Sequence, residues 1–239
     1  MTSLRKTAFV AGALYLLTFV SIPTLALYGP VKSAMYIVGA GPDTGAIFGG
    51  ILEMIVALAS IGTAVALYPV VKRQNEGVAL GFVGSRVLEA GTIFVGVAFL
   101  LTIVTLRQAG AGANALVTAH ALVAMYDRMF LIGPSFMPAV NALLLGSLLY
   151  QSRLVPRVLP VIGFVGAALL VAGDMAVLLG LIGQHAPSTA LAALPIALWE
   201  FSLGVWLVVK GFKPSAITAL YSRPAGVDNG SLAPAAAVR

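Results

Sequence analysis

Long apolar runs, separated by short polar segments, follow one another along most of the chain. A membrane-spanning α-helix needs about 20 mostly apolar residues, because each residue advances about 1.5 Å through a hydrocarbon core about 30 Å thick. Six runs meet this requirement, and they predict an all-α, polytopic transmembrane helix bundle that forms a single domain over residues 1–212. The predicted spans cover residues 8–28, 45–68, 78–106, 129–150, 158–182 and 189–209.

The stretch before the fourth predicted span has two interpretations. A straight helix over residues 114–150 would be about 55 Å long, well beyond the thickness of the hydrocarbon core. Gly133, Pro134 and Pro138 mark a break or kink within it. Residues 114–133 therefore either form a seventh span or form an outer interfacial or re-entrant helix that precedes the fourth span.

The distribution of basic residues favours six spans. With six spans and a cytoplasmic N-terminus, the outer loops carry only Lys32 and Arg107, while the other loops and the termini are rich in Lys and Arg, as the positive-inside rule requires. A seventh span would place Arg153, Arg157 and the basic C-terminus outside. We therefore expect both termini to be cytoplasmic.

Composition agrees with a membrane protein. The 239 residues are 60% hydrophobic and 9% charged, whereas roughly a quarter of a soluble domain is charged. The net charge of +6 then reflects topology and attraction to anionic membrane lipids, and we expect no nucleic-acid partner. Cysteine is absent, which excludes disulfides and thiolate chemistry. Residues 213–239 are rich in Ala, Pro, Gly and Ser, and this composition predicts a disordered cytoplasmic tail.

Four carboxylates interrupt the apolar spans: Glu53, Glu89, Asp174 and Glu200. Each would cost roughly 2.5–3.5 kcal/mol at the bilayer centre, whereas a Leu there returns only about 0.3–0.6 kcal/mol. Counting the helical rise places all four near mid-membrane, on four different spans. The common depth predicts a shared polar centre that faces the inside of the bundle.

Basic residues are too few at this depth to neutralise the acids. Arg86 lies three residues before Glu89, on the same helix face, and Arg128 can approach from the outer side. At least two of the four acids then lack a basic partner. A buried carboxyl without a partner tends to be protonated, so it can bind or relay a proton or accept a cation.

The outer segment offers a weaker candidate site. His120 and Asp127 are seven residues apart, on one face of a helix, and His185 follows the fifth span on the same side. Two isolated histidines without ligand spacing are poor evidence for a metal. We expect no metal or cofactor here, and we expect an interfacial histidine beside an Asp127–Arg128 ion pair.

Three functions remain open. The first is a carrier or receptor for a small molecule or ion, with an acidic mid-membrane cavity. The second is a structural or regulatory membrane protein whose polar pairs specify helix packing, and the third is an intramembrane enzyme that modifies lipids. Motifs for metalloproteases, serine hydrolases and phosphate binding are absent from the sequence, so we assign no catalytic residue and favour a non-enzymatic role. Six short-looped spans are few for a transporter, which makes a homodimer a reasonable expectation.

Several short motifs follow one another in a fixed order: Tyr68-Pro69 with Lys72 and Glu76, Arg86-x-x-Glu89, Leu149-Tyr150 with Arg153, Pro156 and Arg157, Ala172-Gly173-Asp174, and Trp199-Glu200 through Lys210-Gly211. Together they resemble a bacterial integral-membrane family, domain of unknown function 4386. The resemblance covers roughly residues 5–212. It implies a multi-pass protein of the bacterial cytoplasmic membrane, but no established activity. A His that we associate with the fourth helix of the family has no counterpart near Asn141, which argues against a His-based site.

Overall fold

The computed structural model of the protein describes residues 3–222, and this range is helical without any β-strand. A 3-10 turn at Thr18–Ser21 joins α1 to the short α2, so these two helices form one span. The α-helices are α1 (Ser3–Leu17), α2 (Thr24–Leu27), α3 (Thr44–Val71), α4 (Glu76–Gln108), α5 (Leu116–Phe130), α6 (Met137–Ser152), α7 (Val158–Leu178), α8 (Pro187–Val209) and α9 (Pro214–Tyr221).

Six helical stretches within the described residues are long and apolar enough to cross a membrane, as the sequence predicts. Apolar side chains cover the outside of the bundle, among them Leu58 and Leu88, which are 61% and 58% exposed. In water such a surface would be unfavourable, whereas in a bilayer it faces lipid. The six stretches are Ser3–Leu27, Thr44–Val71, Glu76–Gln108, Gly112–Ser152, Val158–Leu178 and Pro187–Val209.

The spans pack as a closed ring in chain order. Each contacts the next, from α1 through α3, α4, α6 and α7 to α8, and α8 packs back against α1. The ring closes tightly where α1 crosses α8, because a Cβ added to Gly12 would lie 2.6 Å from the carbonyl oxygen of Gly204. Small residues allow this close approach of the two backbones. A ring of this kind has an interior that side chains of all six spans can reach.

The two ends of the bundle differ in charge. We call the end formed by the last residues of α3, α6 and α8 the basic face, because Lys72, Arg153 and Lys210 lie there. We call the other end, with Lys32 and the end of α4 at Arg107, the opposite face.

The outer helix expected before the fourth span is α5, which packs along α4 on the side of the opposite face. It is continuous with α6 rather than separate from it. A π-helical turn at Leu131–Ser135 joins them, and the Phe136 N–H donates to the Leu131 carbonyl at 3.1 Å, five residues back. Pro134 has no N–H to give, so the helix widens around it instead of ending. The fourth membrane helix therefore begins at Gly112, earlier than the predicted residue 129.

Part of the predicted disordered tail is ordered. Residues Pro214–Tyr221 form α9, with Ala216 and Leu220 buried against the basic face. The Lys213 N–H donates to the Leu154 carbonyl at 2.9 Å, which fixes the start of this helix. The prediction of disorder is therefore wrong for residues 214–221, and residues 223–239 lie outside the described range.

Candidate functional site

A buried arginine lies at the centre of the bundle between two carboxylates. Arg86 of α4 is 1% exposed; its Nη1 donates to Glu89 at 3.0 Å and its Nη2 donates to Glu200 of α8 at 2.7 Å. The first contact follows from the three-residue spacing on one helix, and the second joins two helices that are far apart in sequence. The guanidinium carbon lies 5.1 Å from the centre of the Tyr15 ring, which adds a cation–π contact from α1.

A chain of neutral donors from α4 and α6 extends this network. Asn141 is fully buried in α6, and its amide nitrogen donates to Glu89 at 2.7 Å. The hydroxyl of Ser85 in turn contacts the amide oxygen of Asn141. Glu89 therefore receives hydrogen bonds from both Arg86 and Asn141, as a buried carboxylate requires if it is to keep its charge.

The third acid, Glu53 of α3, has a hydroxyl partner instead of a basic one. The Tyr126 hydroxyl of α5 donates to it at 2.8 Å, and both residues are buried. The Tyr28 ring packs edge-on against Tyr126, with centroids 5.5 Å apart. Tyr28 also covers Gly49, where an added Cβ would lie 2.5 Å from the tyrosine ring. Two aromatic rings therefore hold Glu53 in place on the side of the opposite face.

These three acids line one cavity of about 370 Å³ inside the ring. Arg86 is the basic residue among the described residues that line it, so the lining carries three carboxyls against one guanidinium. Ser60 also lines the cavity, and its hydroxyl is fully buried without a hydrogen-bond partner among the described residues. Such an atom loses hydration without compensation unless something in the cavity binds it.

The structure separates Asp174 from the other acids. It is 1% exposed in α7, does not line the cavity, and accepts a hydrogen bond from the Ser135 hydroxyl at 2.7 Å. Its second oxygen, Oδ2, has no partner among the described residues. The polar centre expected from four acids thus contains Glu53, Glu89 and Glu200, with Asp174 apart from it.

The outer candidates do not converge on one point. Asp127 pairs with Lys32 at 2.7 Å, not with Arg128, which is exposed. His120 is exposed and lies 3.3 Å from the Ala34 carbonyl oxygen, and His185 is exposed as well. Within residues 3–222 no three His, Cys, Asp or Glu side chains are grouped so that they could hold a metal ion. The expected Asp127–Arg128 pair is therefore wrong, because Lys32 reaches Asp127 from the loop after α2.

An ionic cluster outside the spans anchors the loop that precedes α3. Asp43 receives hydrogen bonds from Arg107 Nε and from Gln108, both at 2.9 Å, and from the Tyr36 hydroxyl. Burial by itself would raise the pKa of Asp43, but the hydrogen bonds from Tyr36, Gln108 and Arg107 outweigh it and hold the pKa below its ordinary value. Burial and the bond to Asp43 raise the pKa of Tyr36 to about 12. The cluster ties this loop to the end of α4.

Sequence reasoning left out several side chains that complete the site. Asn141 is an amide within an apolar helix, and the cost of burying it was a usable signal. Tyr126 and Tyr15 had no such signal, because an aromatic residue in a membrane span usually packs without forming a specific bond. Their roles depend on which helix faces which, and that information is absent from local periodicity.

Comparison with known families gives one match. The model of the family described as domain of unknown function (DUF4386) matches residues 10–211, which is most of the chain. The chain belongs to this family. The resemblance seen in the sequence motifs is thereby confirmed. No curated protein and no solved structure matches the chain at significant similarity.

Proposed function

We propose that this member of the DUF4386 family is a membrane carrier or receptor for a small molecule or ion that carries a positive charge or a proton. The observation that carries the proposal is the cavity of about 370 Å³ lined by Glu53, Glu89 and Glu200. A cavity of this volume falls within the range of small-molecule sites.

The electrostatics of the cavity favour a cation. Arg86 can neutralise one of the three carboxyls, which leaves an excess of two acids if all are ionised. Ions are poorly solvated in such an interior, so this excess must be balanced by protons or by a bound cation. Glu200 is the acid whose side chain is most accessible within the Arg86 network, at 13% against 7% for Glu89. Glu200 and Glu53 are therefore the acids we expect to meet a ligand.

The proposed location is the bacterial cytoplasmic membrane, with the basic face and both termini in the cytoplasm. Basic residues gather on that face, whereas the described opposite face carries far fewer, and positive loops are retained in the cytoplasm. Because the natural chain has no cysteine, single cysteines introduced at position 32 or position 153 can be labelled with a membrane-impermeant maleimide in intact cells. Labelling from outside is expected at position 32 only.

The function can be tested in proteoliposomes that contain a pH-sensitive dye. Glu53→Gln and Glu200→Gln are expected to abolish cation-dependent proton movement, or to weaken cation binding at least tenfold, while the proteins still fold. Asp174→Asn is the matched control, because it removes a more deeply buried acid that lies outside the cavity. Wild-type behaviour of both glutamine variants across a panel of cations would overturn the proposal.

A structural role is the second candidate, and the Arg86 network itself favours it. Arg86, Glu200 and Asn141 connect α4, α8 and α6 through contacts of 2.7 Å each. A protein whose polar centre serves only helix packing would bind no ligand, and it would regain stability when the whole network is replaced by apolar residues.

A further inference from the structure

The acidic cavity adjoins a second one, whose described lining contains no carboxylate. The second cavity has a volume of about 430 Å³ and extends towards the opposite face, where Lys32 and Tyr126 line it. Four residues line both cavities, and they mark the junction between the two: Thr24, Leu25, Phe130 and Ala193. The two cavities are therefore neighbours, and a molecule that reaches from one into the other would meet different chemistry at its two ends.

This joined space reaches the lipid-facing surface between α2 and α8. Leu25 lines both cavities and is also 77% exposed, and Ile22 lines the acidic cavity and is 59% exposed. On the side of the basic face the gap is closed, because Phe19 and Phe201 meet edge to face at 5.5 Å and α1 crosses α8 at Gly12. The opening therefore faces the leaflet next to the opposite face.

The polar end of the joined space suits an ammonium group that still has N–H donors. The acidic cavity offers acceptor oxygens from the carboxylates of Glu53 and Glu200 and from the Ser60 hydroxyl, which has no hydrogen-bond partner in the described range. A quaternary ammonium would satisfy the charge but would leave the Ser60 oxygen without a donor. A primary or secondary amine is protonated near neutral pH, so it provides both the positive charge and an N–H donor for Ser60.

We propose that the ligand is an amphipathic amine of the membrane, with its ammonium group at Ser60 and the cavity acids and its apolar chain in the second cavity. This inference rests on the proposed function, and it specifies the ligand class of the same site. The apolar chain lies along the junction at Ala193 and can reach the lipid through the gap beside Leu25.

The experiment is equilibrium dialysis of primary alkylammonium ions of increasing chain length against protein in nanodiscs, with empty nanodiscs subtracted. For wild type, affinity referred to the free aqueous concentration should rise about fourfold per methylene group, since the chain enters an apolar space. Ala193→Phe fills the junction and should remove this dependence on chain length. Ser60→Ala should weaken all chain lengths several-fold. Leu194→Phe, on the lipid-facing side of α8, is the matched control and should behave as wild type.

An unchanged chain-length dependence in Ala193→Phe would overturn the two-part site. If Ala193→Phe does not fold, Ala193→Leu serves with the same criterion. Equal binding of decylammonium and decyltrimethylammonium, with no effect of Ser60→Ala, would overturn the amine assignment. These results leave the proposed function untouched, because that function fails only if Glu53→Gln and Glu200→Gln keep wild-type responses to every cation.

Discussion

Arg86 and Asp174 are both 1% exposed within the membrane-spanning bundle, but they solve the problem of a buried polar group differently. Arg86 bonds to Glu89 and Glu200, and Asn141 supports Glu89, so one guanidinium and one amide serve two carboxyls across three helices. Asp174 accepts a hydrogen bond from the Ser135 hydroxyl, and its second oxygen has no partner within residues 3–222. Opposite charges can be kept ionised in such an interior, whereas a lone carboxyl is more cheaply kept neutral. The difference teaches that the membrane acids of this protein are not equivalent.

The largest expected effect comes from removing the arginine that bonds to two of the acids. Arg86→Met leaves Glu89 and Glu200 without their base, and we expect a loss of about 3–5 kcal/mol in the free energy of unfolding, since removing one partner strands the other charges. Asp174→Asn should change the free energy of unfolding by less than about 1 kcal/mol, because Asn keeps an oxygen for Ser135. Unfolding in detergent with increasing denaturant, followed by fluorescence of the buried Trp199, measures both.

The triple variant Arg86→Met, Glu89→Leu, Glu200→Leu sharpens the same comparison. It removes all three charges, and we expect it to recover most of the lost free energy of unfolding, since apolar replacement of a buried ionic cluster is often neutral or stabilising. The triple variant should nevertheless lose cation binding if the cavity is a ligand site. If the single and triple variants lose the same free energy of unfolding, the explanation that Arg86 offsets the charges of Glu89 and Glu200 is contradicted.

A medium effect is expected at Glu53, which resembles Asp174 in having a hydroxyl donor and, in the described part of the chain, no basic partner. Tyr126→Phe removes the 2.8 Å bond to Glu53 and keeps the ring packing against Tyr28. We expect a cost of about 1–3 kcal/mol in the free energy of unfolding, the range for stranding a buried acceptor. Tyr150→Phe, at a partly exposed ring, provides a control with little expected change. If the cavity binds a cation, that cation should reduce the difference between Tyr126→Phe and wild type.

The smallest expected effect concerns Asp43, which pairs with Arg107 in the ionic cluster outside the membrane spans. The pKa of Asp43 is lowered in the folded protein below its ordinary value of 3.8, so its stabilising contribution is present above pH 3.8 and is lost as pH falls through the lower, folded value. We expect the loop from Lys32 to Asp43 to loosen only under this acidic condition, as hydrogen exchange in the loop can detect. Asp43→Asn should show weaker protection already at neutral pH and no further change on acidification. A transition in the wild-type loop above pH 5 would contradict the assignment to Asp43.

The cost of burying polar groups in a membrane explains why much of the overall fold could be predicted from the sequence. Each span needs its own apolar run and must form its backbone hydrogen bonds internally, because lipid cannot hydrogen-bond a backbone. This requirement is visible in the local sequence. The same cost marked Glu53, Glu89, Asp174 and Glu200 as side chains that need a partner. The six spans and the family membership could therefore be predicted without a structure.

Pairing across helices could not be predicted in the same way. The helical period relates Arg86 only to neighbours three or four residues away, so it predicts the contact with Glu89 and contains no information about Glu200. The π-turn at Leu131–Ser135 shows the same limit, because Pro134 predicts a disturbance but not whether the helix ends or widens.

By itself, the sequence determined that this is a six-span membrane protein of the DUF4386 family with costly acids inside its spans. Only the tertiary structure decided that Glu53, Glu89 and Glu200 share a cavity with Arg86 and Ser60, and that Asp174 does not. The physical reason is that helix formation and membrane insertion depend on local composition, whereas the meeting of side chains depends on how each helix is rotated and where it lies in the ring.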